Sequence, residues 1–561
     1  MPKALTQFLQ FLILVVPMIL AAPAVPAATF VVTSSADTAG SSCAAVCTLR
    51  QAITAANATA AADTINFDIF TIPPRGDILI QPLSNLPPIT QPLTINGYSQ
   101  AGTRVNDSEL ATNATLRIRI DGAASSTTAT HGLAVCASGS NVRGVAVTRF
   151  IQHGVIVGDS PCTAGVSNVL VQGNFLGTNG GGSSAAGNTG SGIRVNNSAA
   201  TIGGAALADR NLLAANGLSG IELRGSNSSN VSIQNNLIGT DRSGSQDFGN
   251  ATGIRITDSY NNAFIQQNLI RFNGTGIHLL GGVNNNISQN RIYDNDGLGI
   301  DLGALGVTPN DPNDIDNGPN QLQNFPVITS AGRGPGVLNV AGTLDVGHTN
   351  PIDYIIEAFA STTCDPSGNG EGERYLGSMT RGLREITQTF SGAITTNDPL
   401  PPQTVITLTV RSANAVGTSE FSQCFALDPP PLLVNSADDV DDGVCNAVHC
   451  SLREAMNVAN SFVGAGQQAI EFAIPPLTGT SEITITPASP LPVIAQNYLI
   501  DGYSQPGAVP NTDPSASNAV VRIRLAGSLA SPIGLEICIP SPVSRGLSLT
   551  GFEEAISMHR P

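Results

Sequence analysis

Five short phrases carry the side chains best suited to chemistry in this sequence. GIRV at Gly192, GIEL at Gly220, GIRI at Gly253, GIHL at Gly276 and GIDL at Gly299 differ mainly at the third position, which holds Arg194, Glu222, Arg255, His278 and Asp301. Arginines beside carboxylates can grip the hydroxyls and carboxylates of a sugar polymer through charge-assisted hydrogen bonds. Turnover of such a polymer asks for more. Lyase chemistry wants acidic metal ligands beside an arginine base, and hydrolysis wants two facing carboxylates. Glu222, Arg255 and Asp301 are the candidates for that role, yet they come from separated phrases. A plainer reading is a solvated column in which alternating charge avoids repulsion.

A second set of oxygen ligands follows in TPNDPNDIDNGPNQ, Thr308 to Gln321. Asp311, Asn313, Asp314 and Asp316 could wrap calcium, because hard cations take clustered Asp and Asn oxygens near a glycine turn. The stretch lacks the full EF-hand loop and its terminal glutamate, so a polar turn is the competing reading. DDVDDG, Asp438 to Gly443, is a weaker case, since the matching stretch near the N-terminus has only Asp37.

Something must bring the five phrases together. They recur every 23 to 33 residues, separated by segments such as VLVQGNFLGT, VSIQNNLIGT and NISQNRIYDNDGLG. Short alternating strands with Asn-Gly turns between them leave no room for helices. A period near ~23 with three strands per turn is what a parallel β-helix needs. Each coil buries its Ile, Val and Leu only against its neighbours. In register, the five variable side chains form one outward column with a rise of ~4.8 Å per coil.

The chain also writes its opening twice. CTLRQAI begins at Cys47 and CSLREAM at Cys450; INGYSQAG matches IDGYSQPG, LRIRIDG matches VRIRLAG, and RGVAVTRF matches RGLSLTGF, in the same order. Thr48 with Gln51, and Ser451 with Glu454, each fit the capping box that starts a helix. Leu49, Ile53 and Ala56 then share one helical face. The open end of a coil exposes strand edges, so a short helix there serves as a lid. No carboxylate or histidine is evident beside Arg50 and Arg453 in both copies, which argues against catalysis by these arginines.

Nine cysteines pair by closeness as Cys43–Cys47, Cys136–Cys162, Cys364–Cys424 and Cys445–Cys450, leaving Cys538 alone. Cys538 corresponds to Cys136, and the second copy stops before any counterpart of Cys162, so the expectation is a truncated second unit. CTLRQAI and CSLREAM, followed by GYSQ and the Asn/Gly-rich coils, resemble the bacterial secreted proteins named for their CSLREA motif. That resemblance covers residues 29 to about 328 and again from Leu432. It implies right-handed parallel β-helix repeats related in fold to pectate lyases, a secreted or surface role, and no established reaction.

Lys3, the only lysine, precedes the apolar run FLILVVPMILAA and alanine-rich cleavage options between Ala24 and Ala28, the pattern of a secretory signal. The net charge of −16 leaves no basic footprint for nucleic acid or anionic lipid. From Ala331 to Leu427 alternating strands predict a small immunoglobulin-like sandwich, followed by the stiff linker DPPPLL. The expected organisation is a signal peptide over 1–28, a capped β-helix over 29–328, the sandwich over 329–427, and the second cap and β-helix start over 428–561. The expected function is structural, adhesive or carbohydrate-binding at the cell surface, with a polysaccharide lyase or hydrolase as the alternative.

Overall fold

The computed structural model describes residues 26–558, apart from residues 45, 71–75, 125–127, 129, 226–229, 335, 347–351, 384–387, 402–403, 414–416, 428–430, 462–467, 476–481, 497 and 539–542. Residues 1–25 of the segment expected to be a secretory signal lie outside the described residues, as does part of the proline linker.

From Thr29 to Leu302 the backbone winds through three parallel sheets. The first has nine strands, from Thr29–Val32 to Asn286–Ser288; the second has eight, from Ile78–Ile80 to Arg291–Tyr293; the third has seven, from Leu133–Val135 to Ile300–Leu302. This is a parallel β-helix. Ile193, Ile221, Ile254, Ile277 and Ile300 pair in register up the third sheet, none more than 2% exposed. Ile202, Ile233, Ile265 and Ile287 do the same in the first sheet. Each buried aliphatic side chain contributes about 1.5–3 kcal/mol relative to exposure.

The glycine that opens each phrase has a packing reason. A Cβ on Gly220 would meet the carbonyl oxygen of Gly253 at 2.8 Å, one on Gly253 would meet that of Gly276 at 2.5 Å, and one on Gly276 would meet that of Gly299 at 2.4 Å. Rungs approach too closely here for any side chain. At the end of this column, Gly299 is followed by the ring of Phe421 rather than by another glycine.

Two buried asparagine ladders turn the corners. Asn174, Asn211, Asn236, Asn268 and Asn290 form one; each of the first four donates its backbone N–H to the side-chain oxygen of the next. Asn188, Asn216, Asn250, Asn273 and Asn295 form the other. Their Nδ2 groups also donate to carbonyls of the preceding rung, as from Asn268 to Ile233 at 2.9 Å. The corner polar groups are thereby satisfied without water, which a buried turn requires.

Helix α1 (Leu49–Ala56) covers the first rungs, burying Leu49, Ala52, Ile53 and Ala56 with Val32, Ile65 and Phe67. Its capping box is formed: Gln51 N–H donates to Thr48 Oγ1 at 3.3 Å, and Thr48 N–H donates to Gln51 Oε1 at 2.9 Å. Helix α2 (Leu452–Ser461) repeats this with Ser451 and Glu454. Contrary to the expectation from the motif alone, a carboxylate accompanies both arginines. Arg50 grips Asp37 through Nε at 2.8 Å and Nη2 at 2.9 Å, and also donates to the Ser84 and Asn85 carbonyls. Arg453 grips Asp439 in the same way and donates to the Ser489 and Pro490 carbonyls. Asp37 lies 13 residues upstream of Arg50 and its counterpart is Asp439, so neighbouring Asp438 masked the match. The arginine that recurs in both copies is a clasp for the lid. Arg50→Ala is expected to cost about 3 kcal/mol locally, because the buried Asp37 carboxylate loses its counter-charge and keeps only the Leu83 N–H among the described residues. Hydrogen exchange should then quicken in Thr29–Val32 and α1 while Ile254–Ile256 is unchanged.

The four disulfides join the pairs expected from spacing, and Cys538 is free. Between Val327 and Ala426 lie two antiparallel sheets of three and four strands around one apolar core that includes Leu338, Tyr354, Ile356, Phe390 and Leu408. This unit closes the far end of the β-helix. Phe359 and Phe421 join the β-helix core, edge to face with centroids 5.2 Å apart. Three buried glutamates complete the rung ends. Glu357 accepts from Ser288 Oγ and Gln289 N–H, Glu371 from Asn295 Nδ2 at 2.9 Å, and Glu420 from the N–H groups of Leu302 and Thr308. From Leu432 to Met558 a second set of parallel sheets begins, of four, three and two strands. No helix among the described residues is long and apolar enough to cross a membrane.

Candidate functional site

The third sheet places Arg194, Glu222, Arg255, His278 and Asp301 at successive paired positions. What surrounds them differs from an open column. Asp301 is 2% exposed and His278 7%, because the chain after Leu302 folds back over both. Gly306 N–H donates to Asp301 Oδ2 at 3.2 Å, and His278 Nε2 lies 3.0 Å from the Gly303 carbonyl. Burial raises the Asp301 carboxyl above the ordinary range. Both side chains are withdrawn from solvent rather than presented on the coil face.

The upper part of the column is a polar network centred on Arg194, although Arg194 Nε and Arg255 Nε are buried without a hydrogen-bond partner among the described residues. Arg194 lies 3.0 Å from Asp159 and 3.7 Å from Glu222, with Nη1 2.8 Å from His153 Nε2. Ser191 donates its hydroxyl to Glu222 and its N–H to His153 Nδ1. His153 stacks on His131, centroids 6.0 Å apart. Desolvation and His131 push His153 down to about 4, so the imidazole is neutral at neutral pH. Burial raises Glu222 against the opposing effects of Ser191 and Arg255. The structure brings Arg194 and Glu222 together and adds His131, His153, Asp159 and Ser191. None of these four stands in a Gly-Ile phrase, so the repeat pattern did not expose them.

Two clefts open instead where the β-helix meets the antiparallel unit. The larger, about 530 Å³, is lined by Leu110, Asn235, Gln267, Gln289, Arg291 and Tyr375 among others. A column of amides runs along it: Gln234 Nε2 donates to Gln267 Oε1 at 2.8 Å, and Gln267 Nε2 to Gln289 Oε1 at 3.2 Å. Its rim is held by Arg210, which donates to the carbonyls of Ser108, Glu109 and Ala111. Arg291 donates Nε to the Glu373 carbonyl at 3.0 Å and forms no ion pair among the described residues. The second cleft, about 400 Å³, holds Arg271, Asp294, Asp365, Glu371 and Glu373. Burial, with Asp365 adding to it, pushes Glu371 up to about 7.

The acidic turn after the last rung gathers three of its four expected members. One oxygen from each of Asp311, Asp314 and Asp316 lies within 4.8 Å of the others. Asn313 occupies the left-handed corner of that turn at φ 69°, with Asp314 at φ 49°. Burial first, then the like charges of Asp311, Asp316 and Asp345, push Asp314 up to about 6. Asp345, from the antiparallel unit, lies too far along the chain for the motif to have included it.

No family model matches the chain, and no curated protein matches it. Among solved structures, the enzymatically active domain of tailspike protein 2 of bacteriophage CBA120 aligns at 11% identity over 67% of this chain and 73% of that one, with a TM-score of 0.14. Full-length tailspike protein 2 from the Escherichia coli O157:H7 bacteriophage aligns at 12% identity over 67% of this chain and 65% of that one, with a TM-score of 0.17. At these scores neither alignment carries an argument, and the β-helix stands on the strand pairing alone.

Proposed function

We propose that this is an exported β-helix protein of the CSLREA-motif type that binds polysaccharide at the cell surface, with the larger junction cleft as its binding site. The carrying observation is Arg291: a cationic side chain without an ion pair among the described residues, in a chain of net charge −16, set beside Tyr375 and an amide column. An arginine fork suits a sugar carboxylate or vicinal hydroxyls, side-chain amides suit hydroxyls, and an aromatic ring suits the apolar face of a pyranose. Export fits four disulfides, which persist where thiols are not kept reduced. The Arg194–Glu222 network is read as structural, because Arg194 already lies within ion-pair distance of both Asp159 and Glu222.

A hydrolase has one observation in its favour. Glu371, held near neutrality in a cleft with three further carboxylates, has the proton affinity of a general acid. Its bond to Asn295 marks it first as a ladder end.

One experiment separates these. The chain is titrated with polygalacturonate, a sulfated glycan and a neutral glucan, with reducing and unsaturated ends assayed in parallel. Binding of polygalacturonate is expected, weakened about tenfold (~1.4 kcal/mol) by Arg291→Gln. Binding that ignores Arg291→Gln would move the site elsewhere, and new chain ends would establish turnover.

A further inference from the structure

The acidic turn has more to it than crowded carboxylates. None of Asp311, Asp314 and Asp316 has an arginine or histidine within ion-pair distance among the described residues. Internal hydrogen bonds engage some of their oxygens: Ile315 N–H donates to Asp311 Oδ2, Asn324 N–H to Asp314 Oδ1, and Gln323 Nε2 to Asp314 Oδ2. Asp311 Oδ1 and Asp316 Oδ1 are buried from solvent and have no hydrogen-bond partner among the described residues.

A separate observation comes from a neutral side chain. Gln323 is only 2% exposed, and its amide reaches the cluster with Nε2 3.0 Å from Asp314. Its Oε1 is buried and accepts from no donor among the described residues. A buried carbonyl without a donor is uncommon, because it has surrendered water for no partner. Turning that amide over would present its oxygen to the carboxylates, a move that is unfavourable unless a cation stands between them.

We propose that Asp311, Asp314, Asp316 and Gln323, with Asp345 beside them, form a calcium site where the β-helix passes into the antiparallel unit. The spacing suits the ion. Oxygens on opposite sides of calcium lie about 4.8 Å apart, twice a bond of about 2.4 Å, and the three aspartate oxygens lie within that limit. The donors are all oxygen, which disfavours zinc, and their irregular placement on a turn suits calcium's flexible shell over magnesium's octahedron. Asn324 Nδ2 donates to the carbonyls of both Asp311 and Asp345, so the ion would fasten the exit turn to the strand end at Leu344. Calcium then acts as a rivet between the two units.

The test uses the full chain stripped with EGTA and titrated with calcium chloride by calorimetry, with thermal melting alongside. One strong equivalent is expected, with a rise of several degrees in the melting midpoint that the same magnesium concentration does not reproduce. Asp311→Asn/Asp316→Asn is expected to weaken that equivalent at least about tenfold (~1.4 kcal/mol). In EGTA the same variant should melt no lower than the parent, since losing charge there relieves repulsion; this separates a lost site from a damaged fold. Absence of a strong equivalent, or one that the double substitution leaves intact, would overturn the assignment.

Discussion

Gly253→Ala is expected to destabilise the β-helix by about 3 kcal/mol or more, the upper end for inserting one methyl into a filled core. The new Cβ would sit 2.5 Å from the Gly276 carbonyl oxygen and 2.8 Å from Ile270 Cγ2. The nearer of these atoms is backbone, so relief requires the rungs to separate. Rungs share ladders of Ile221, Ile254 and Ile277, and moving one strips contacts from its neighbours. In thermal melts this corresponds to a fall of roughly 5–10 °C in the transition that reports on the coil. Gly332→Ala is the control: nothing lies within 4 Å of its would-be Cβ, and its effect should be within about 0.5 kcal/mol. Equal effects at the two sites would mean that glycine in the phrases serves chain flexibility rather than close approach.

The second large effect is on pH dependence. Glu371 and Glu420 cap rung ends inside the junction, and burial pushes each from the ordinary glutamate range up to about 7. Asp365 adds to the first shift and Asp301 to the second, while hydrogen bonds from Asn295, and from Leu302 and Thr308, oppose them. The folded state therefore binds protons that the unfolded state has released. Stability from these groups is fully present below about pH 4.5 and is lost as pH rises through about 7. Each shift is worth about 3 kcal/mol as an order of magnitude. His153 works the other way, since its depressed folded value favours folding above the ordinary histidine range and costs stability as pH falls. Comparison with Glu371→Gln/Glu420→Gln removes that contribution, because His153 is common to both proteins. The parent should lose stability relative to the variant between pH 5 and pH 8, measured by urea unfolding. A constant difference across that range would mean that the junction carboxyls titrate normally.

The same two features show what the residues disclosed and what they concealed. Gly-Ile phrases reveal the register because every rung needs the same small residue at the same corner and the same aliphatic beside it. Thr48 with Gln51 reveals the lid because a capping box is local. Asn211, Asn236, Asn268 and Asn273 were legible only as turn residues. Their ladders depend on stacking of residues 22 to 37 positions apart, and Asn at a turn has a sufficient local explanation. Burial of His278 and Asp301 was hidden because the covering loop carries no pattern of its own. Glu357, Glu371 and Glu420 lie on three separate segments of the antiparallel unit, and only docking turns them into rung caps. The larger cleft escaped for that reason too: Arg291 and Gln289 come from the coil, whereas Tyr375 comes from the unit that closes it.

Vertical registry of the coil is tested most directly by cysteine pairs in a Cys538→Ser background. Glu222→Cys/Arg255→Cys joins paired positions on adjacent strands and should oxidise readily to a disulfide. Glu222→Cys/His278→Cys spans two rungs, about 9.6 Å, and should stay reduced. Ready cross-linking of the second pair, or failure of the first in a folded chain, would contradict the stacked coil on which cleft, lid and calcium rivet all depend.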